Sequence, residues 1–296
     1  EGNYKNGSKD GKWTYWYENG QKKQESYYKS DILDGKSTQW FENGQIQQEG
    51  NHINGKRDGK WIFWHENGQK KQESYYKSDI LDGKSTEWHE NGQIKSEENY
   101  KDGKQVSLTD YHYYENGQKK TEVNYKDGKK DGKSTEWHEN GQKKQERHYK
   151  YGILNGKLTE WYENGQKKQE SYYKSDILDG KSTQWYKNSQ IKLEENYKDG
   201  KKEGIWIEWY ENGQIKIERS YYESKYRGQD GKWTEWYENG QIKFQGNIIN
   251  DVKDGKWTEW YENGQIKSSG SFQHKSYFPL KGKFKEVLGR DTLSVK

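Results

Sequence analysis

The chain has 296 residues, with no cysteine, no methionine and a single proline. Without cysteine there are no disulfides or thiolate ligands, and nothing ties the chain to an oxidising or a reducing compartment. Methionine is missing even at position 1, as in a mature form trimmed of a signal peptide, or in an incomplete chain. Leu, Ile, Val and Phe together supply only 38 residues, a share low enough on its own to suggest disorder. No apolar run approaches the roughly 20 residues that a helix needs to span a bilayer. Nor does charge of one sign dominate. Lys and Arg number 52 against 48 Asp and Glu, leaving a net +4. A balance this close does not drive the chain open, and it offers no domain-scale basic patch for nucleic acid.

What is present reverses the reading of disorder. Fifteen Trp and 26 Tyr each carry a large apolar body, able to bury roughly 150–250 Å², and a polar tip. They recur in register with one phrase, Glu-Asn-Gly-Gln. Its glycines are Gly20, Gly44, Gly68, Gly92, Gly117, Gly141, Gly165, Gly213, Gly240 and Gly264, with Ser189 in the one gap. The spacing is 24 residues, apart from 25 before Gly117 and 27 before Gly240. A fixed period of this size marks a repeat architecture, and such proteins act through extended surfaces.

Asn-Gly between aromatic-rich segments is a strong hairpin signal, because both residues tolerate positive φ. Trp13–Tyr17 reads as a strand, Glu18-Asn19-Gly20 as a turn and Gln21–Lys29 as a longer polar strand. Asp34-Gly35-Lys36 reads as the turn that restarts the unit. A three-residue loop with a glycine bulge puts Thr14 and Trp16 on one face with positions 22, 24 and 28, which elsewhere hold Ile191, Leu193 and Tyr197. The opposite face then carries Tyr17, Glu and Lys ladders, and a Trp that comes and goes. The expected fold is all-β: about eleven tandem antiparallel β-hairpin repeats over residues 1–270, forming an elongated twisted sheet or solenoid-like rod. The structural residues expected are the turn glycines above and the series Trp16, Trp40, Trp64, Trp88, Trp137, Trp161, Trp185, Trp209, Trp236 and Trp260. This series is expected to form one ladder, its members touching or separated only by an Ile or Tyr strand. Residues 271–296 leave the repeat, and their Phe272, Tyr277, Phe278 and Phe284 read as a C-terminal cap or a docking tail. Two irregular places, Lys104–Tyr114 and Tyr221–Asp230, read as bends.

The phrase Asp-Gly-Lys-Trp-Thr-Glu-Trp-Tyr-Glu-Asn-Gly-Gln-Ile-Lys, at 230–243 and 254–267, resembles the bacterial variant of the MORN repeat. Such repeats occur in proteins labelled YwqK-type antitoxins. The resemblance covers about nine-tenths of the chain. It implies consecutive antiparallel hairpins, with binding and scaffolding as the general role.

Motifs for chemistry are scarce. His65, His89 and His138 fill the slot held by Tyr17 in other units and read as replacements for a repeat aromatic. No Cys/His cluster or His-x-x-x-His pairing supports a transition metal. Glu25, Glu73, Glu146 and Glu170 recur beside lysines as a cross-strand charge ladder. There is no phosphate-binding loop and no nucleophile elbow. The expectation is a non-enzymatic structural and protein-interaction protein without cofactor, catalytic residue or metal. We place it outside the cell or at the cell surface, as a subunit able to self-associate into filaments. An antitoxin-like protein that binds a toxin is one alternative. A glycan-binding surface module is another, since aromatic rings stack on sugars.

Overall fold

The computed structural model describes residues 1–221, 231–249 and 252–273. These form 24 β-strands and no helix, so the chain is all-β. Contacts divide it into two compact units, Glu1–Gly141 with Tyr149–Gly152, and Gln142–His148 with Ile153 onward. In each unit, hairpin follows hairpin in an open antiparallel sheet whose strands contact chiefly their neighbours in sequence. The tail beyond 273 and most of the Tyr221–Asp230 insertion lie outside the described residues.

The first hairpin shows how each unit is built. Strands Ser8–Trp16 and Lys22–Lys29 are joined by Glu18-Asn19-Gly20. The Tyr17 N–H donates to the Gln21 carbonyl at 2.8 Å, and the Gly20 N–H donates back to the Tyr17 carbonyl at 3.0 Å. Gly20 sits at φ +83°, the left-handed bulge position of a three-residue loop. The turn geometry expected from Asn-Gly is therefore present. Ser189, where a rearranged turn would be expected, keeps the same geometry at φ +70°, with its N–H donating to the Tyr186 carbonyl at 3.0 Å.

The assignment of faces is different. Trp16 pairs with Lys22, but Tyr15 pairs with Gln24, so Lys23 is an extra residue on the second strand. A bulge of one residue exchanges the faces of everything beyond it. Thr14 and Trp16 therefore share a face with 22, 25 and 27, whereas 24, 26 and 28 join Trp13 and Tyr15. This corrects the expected grouping: Glu25 lies on the Trp16 face, paired with Thr14, and Ile191 and Leu193 lie on opposite faces.

The second turn also differs from expectation. The chain reverses at Ser30-Asp31, both at positive φ (49° and 67°), between the paired residues Lys29 and Ile32. This is a two-residue type I′ hairpin. Asp34-Gly35-Lys36 lies inside the strand Ile32–Trp40 as a bulge opposite Tyr27. The sign was present in sequence, because Asn54-Gly55, Asp102-Gly103 and Asp199-Gly200 occupy the same slot.

Burial comes from side chains packed across strands. The most deeply buried residues are small: Ser26, Ser74 and Ser171 are 0% exposed and Thr234 is 1% exposed. They line the middle of the sheet, where longer neighbours cover them. The intermittent Trp follows a rule of size. Where the facing residue on the preceding strand is Ser, the slot holds Ser, as in Ser26–Ser37 and Ser74–Ser85, with hydroxyls 2.7 Å apart, while the following strand sets Ser26 and Ser74 opposite Trp13 and Trp61. Where the preceding strand has Gly, the slot holds Trp, and Trp233 instead faces Arg219. Trp13, Trp61 and Trp257 lie flat over Gly2, Gly50 and Gly246, where a Cβ would come within 2.1–2.4 Å of the indole Cδ2. The indole N–H of each donates to the carbonyl of the Asn after that glycine, at 3.1, 3.1 and 2.9 Å.

Candidate binding surface

The loop edge explains why Glu-Asn-Gly-Gln recurs. Asn19 Oδ1 accepts the Gln21 N–H at 2.9 Å and closes its own loop, while Asn19 Nδ2 donates to the Glu42 carbonyl of the next loop at 3.1 Å. Asn43 and Asn67 repeat both bonds. The Tyr17 hydroxyl donates to the Trp40 carbonyl at 2.8 Å, and Tyr114, Tyr162 and Tyr186 do the same one repeat apart. His65 places Nε2 3.2 Å from the Trp88 carbonyl, so its imidazole performs the tyrosine's structural task. The phrase is thus a lateral ladder of hydrogen bonds between successive hairpins; at Asn91 the rung is made instead by Gln93, whose Nε2 donates to the Gly117 carbonyl at 2.7 Å. Sequence reading found the glycine but missed the second bond of Asn. The signal was its constancy in the slot before Gly, where turn geometry alone would also accept Asp.

On the face holding Thr14, a row runs Trp16, Lys22, Trp40, Ile46, Trp64, Lys70, Trp88, Ile94. The tryptophans do not stack directly; Lys or Ile, rather than Ile or Tyr, stands between them. The Lys22 ammonium lies 5.5 Å from the Trp40 ring centroid, as Lys70 does from Trp88 and Lys143 from Trp161. Trp16 is 43% exposed, and later members of the series are half-buried.

Beside this row Glu25 receives Lys22 at 3.0 Å and Lys12 at 3.1 Å. Glu73 and Glu170 each hold an equivalent pair of lysines. The Lys22 hydrogen bond, outweighing partial burial, holds the Glu25 carboxyl below the usual range, and Lys84 does so for Glu97. Burial, reinforced by Glu97, pushes the Tyr111 phenol up, so it stays a neutral donor to that carboxylate at 3.0 Å.

A pH dependence follows from these shifts. A carboxyl whose pKa is lower folded than unfolded adds stability above its unfolded pKa and loses it as pH falls through the folded value. The melting temperature should therefore stay level from pH 7 to about 5 and fall below about 4. Calorimetry across that range checks this, and a melting temperature that rises on acidification contradicts it.

Each unit carries a shallow groove on the face equivalent to that of Thr14. One of about 640 Å³ lies between Tyr75 and Trp88, and one of about 350 Å³ between Tyr172 and Trp185. They occupy equivalent slots four repeats apart in the sequence. Among the described residues no three His, Asp or Glu side chains converge as metal ligands.

An open array of antiparallel hairpins, stitched at one edge by Asn and Tyr side chains, is the architecture of a tandem β-hairpin repeat protein. The MORN repeat variant matches at eleven successive segments: 9–30, 33–54, 57–78, 81–102, 111–127, 130–151, 154–175, 178–199, 202–223, 229–250 and 253–274. The chain belongs to the MORN repeat variant family. No curated protein matches it. Among solved structures it is similar to TcdB2-TccC3, at 8% identity and a TM-score of 0.26, over 88% of this chain and 17% of that one. It is likewise similar to TcdB2-TccC3 without its hypervariable C-terminal region, at 9% identity and a TM-score of 0.26, over 86% and 16%. The chain thus spans about a sixth of the length of those proteins, and scores this low carry no argument about function.

Proposed function

We propose that this chain is a non-enzymatic structural and protein-binding repeat protein of the cell exterior or surface, and that its partner is a further copy of itself in a filament. The supporting observation is the condition of the last described hairpin. In mid-sheet the Tyr hydroxyls of Tyr17, Tyr114, Tyr162, Tyr186, Tyr210 and Tyr237 each donate to a carbonyl of the next repeat. In the last hairpin the Tyr261 hydroxyl has no acceptor among the described residues, and Tyr261 and Ile266 are 51% and 65% exposed. Tyr4 and Trp16 are also exposed, at 64% and 43%. The strand Ile266–Phe272 pairs with Val252–Trp260 alone among the described strands. Such an edge is a template for another chain, and a matching hairpin would restore every interaction missing from it. The balanced charge and the polar, near-identical repeats suit a surface component.

Negative-stain microscopy and sedimentation of the purified chain test this, alongside a form lacking residues 271–296. Filaments from the full chain support the proposal. Loss of filaments in a truncation that remains folded assigns the docking role to those residues, and persistence assigns the contact to the hairpins. A strictly monomeric full chain at high concentration overturns the assembly, and would leave toxin binding, the antitoxin-like role, as the protein-binding reading to pursue.

A further inference from the structure

The grooves at Tyr75 and Tyr172 are built by two copies of a stretch that occurs three times, and the third copy sets Tyr27 in the same local frame. The 18-residue stretch Gln21–Thr38 is identical to Gln69–Thr86 and to Gln166–Thr183, and the last two build the walls around Tyr75 and Tyr172. Each copy places Tyr opposite an in-strand glycine, Gly35, Gly83 or Gly180, at φ 119–122°. A Cβ there would stand 3.0–3.2 Å from the tyrosine Cβ, so the hollow depends on that glycine. Tyr27, Tyr75 and Tyr172 are alike in exposure at 41%, 39% and 41%. The intervening repeat has Asn51 and Ile62 where these have Tyr and Thr. The copies are therefore distinct from the background of the array.

Groove chemistry defines its occupant. One wall is a phenol ring and the other is Trp88 with Ile94. At the rim, Glu73 and Glu97 accept hydrogen bonds while Lys70 and Lys84 donate them. Two ammoniums stand against three carboxylates, Glu73, Asp82 and Glu97, and in the second groove Lys181 stands against Glu170 and Glu194, so a phosphate or a nucleic acid meets net repulsion. An apolar peptide side chain would strip water from these ion pairs and offer no hydrogen bond in return, which is costly. A sugar hydroxyl both donates and accepts, and the apolar face of its ring lies against an aromatic wall. The first two copies are 48 residues apart, four strands of the same sheet, so they recur at about 19 Å on one face. A ligand with its own repeating chemistry can engage both.

We propose that the grooves at Tyr75 and Tyr172, with the equivalent frame at Tyr27, are subsites for a neutral linear polysaccharide. This rests on the grooves alone and is independent of filament formation. Linked subsites gain affinity through effective concentration, so removing one should weaken retention by about tenfold.

Affinity electrophoresis through gels containing hydroxyethyl cellulose, galactomannan, glycol chitin or, as an anionic control, polygalacturonate tests the proposal. The full chain should be retarded by at least one neutral polymer and less by polygalacturonate. Tyr27→Ala, Tyr75→Ala and Tyr172→Ala should each reduce retardation, and the triple variant should abolish it. Tyr151→Ala, which removes an exposed ring outside the grooves, should change nothing. If circular dichroism shows the triple variant unfolded, the three single variants carry the test. Free migration of the full chain in all three neutral polymers overturns the proposal. So does equal retardation of well-folded tyrosine variants, or retention confined to polygalacturonate.

Discussion

Replacing Trp61 by Ala is expected to cost about 3–5 kcal/mol, the usual range for losing a buried Trp from a core. Trp61 is 3% exposed, lies flat on Gly50, meets His52 edge-on at a centroid distance of 4.9 Å and donates to the Asn51 carbonyl. Ala would lose all three contacts, and with no second layer of strands among the described residues to collapse into the gap, the site would fill with water. The reciprocal change tests the same packing. A Cβ on Gly50 would lie 2.2 Å from Trp61 Cδ2, so Gly50→Ser should destabilise by about 1–3 kcal/mol through overpacking. Combining Gly50→Ser with Trp61→Ser recreates the Ser26–Ser37 arrangement already used one repeat earlier. The double variant should be more stable than the sum of the two single changes predicts, by a coupling within the 0.5–3 kcal/mol found for contacting residues. Urea denaturation of the four proteins measures this. Simple additivity would mean that the size rule does not govern the pairing.

The turn glycines form the second test, and they are not equivalent. At Gly20 nothing lies within 4 Å of an added Cβ, so Gly20→Ala should cost only the positive-φ term, about 1 kcal/mol. At Gly44 the φ is +86°, and the new Cβ would also stand 2.4 Å from Gln21 Oε1 of the preceding loop. Gly44→Ala should therefore cost more than Gly20→Ala. Adding Gln21→Ala should bring it back to the Gly20→Ala level. Ser189 shows how a side chain is accommodated, since its hydroxyl donates to Gln166 Oε1, the counterpart of Gln21. Equal melting temperatures for Gly20→Ala and Gly44→Ala would show that the neighbouring loop yields freely.

Much of this fold is legible in the residues because its signals are local. Asn19-Gly20 states where the chain turns and how many residues the loop holds. The 24-residue spacing states how often, and the Asn54-Gly55 doublets mark the second turn for a reader who weighs them above Asp34-Gly35. Parts of the candidate surface were less accessible. Glu25 belongs with Trp16 only because Lys23 bulges, and Lys23 carries no glycine or proline to announce it. The grooves depend on Tyr75 facing Gly83, a juxtaposition across two strands that neither residue declares.

By itself, then, the sequence determined the repeat, its period, the all-β class and the left-handed glycine of the Asn-Gly turns. These follow from backbone sterics acting over three or four residues. Only the tertiary structure decided which side chains share a face, why Trp and Ser alternate in one slot, and which aromatic rings stand open to a ligand. The physical reason is the two-residue period of a strand. One inserted residue exchanges the two faces, and whether it is inserted depends on the partner strand, with Ser26 at Ser37 and Gly50 beneath Trp61 holding the register on either side.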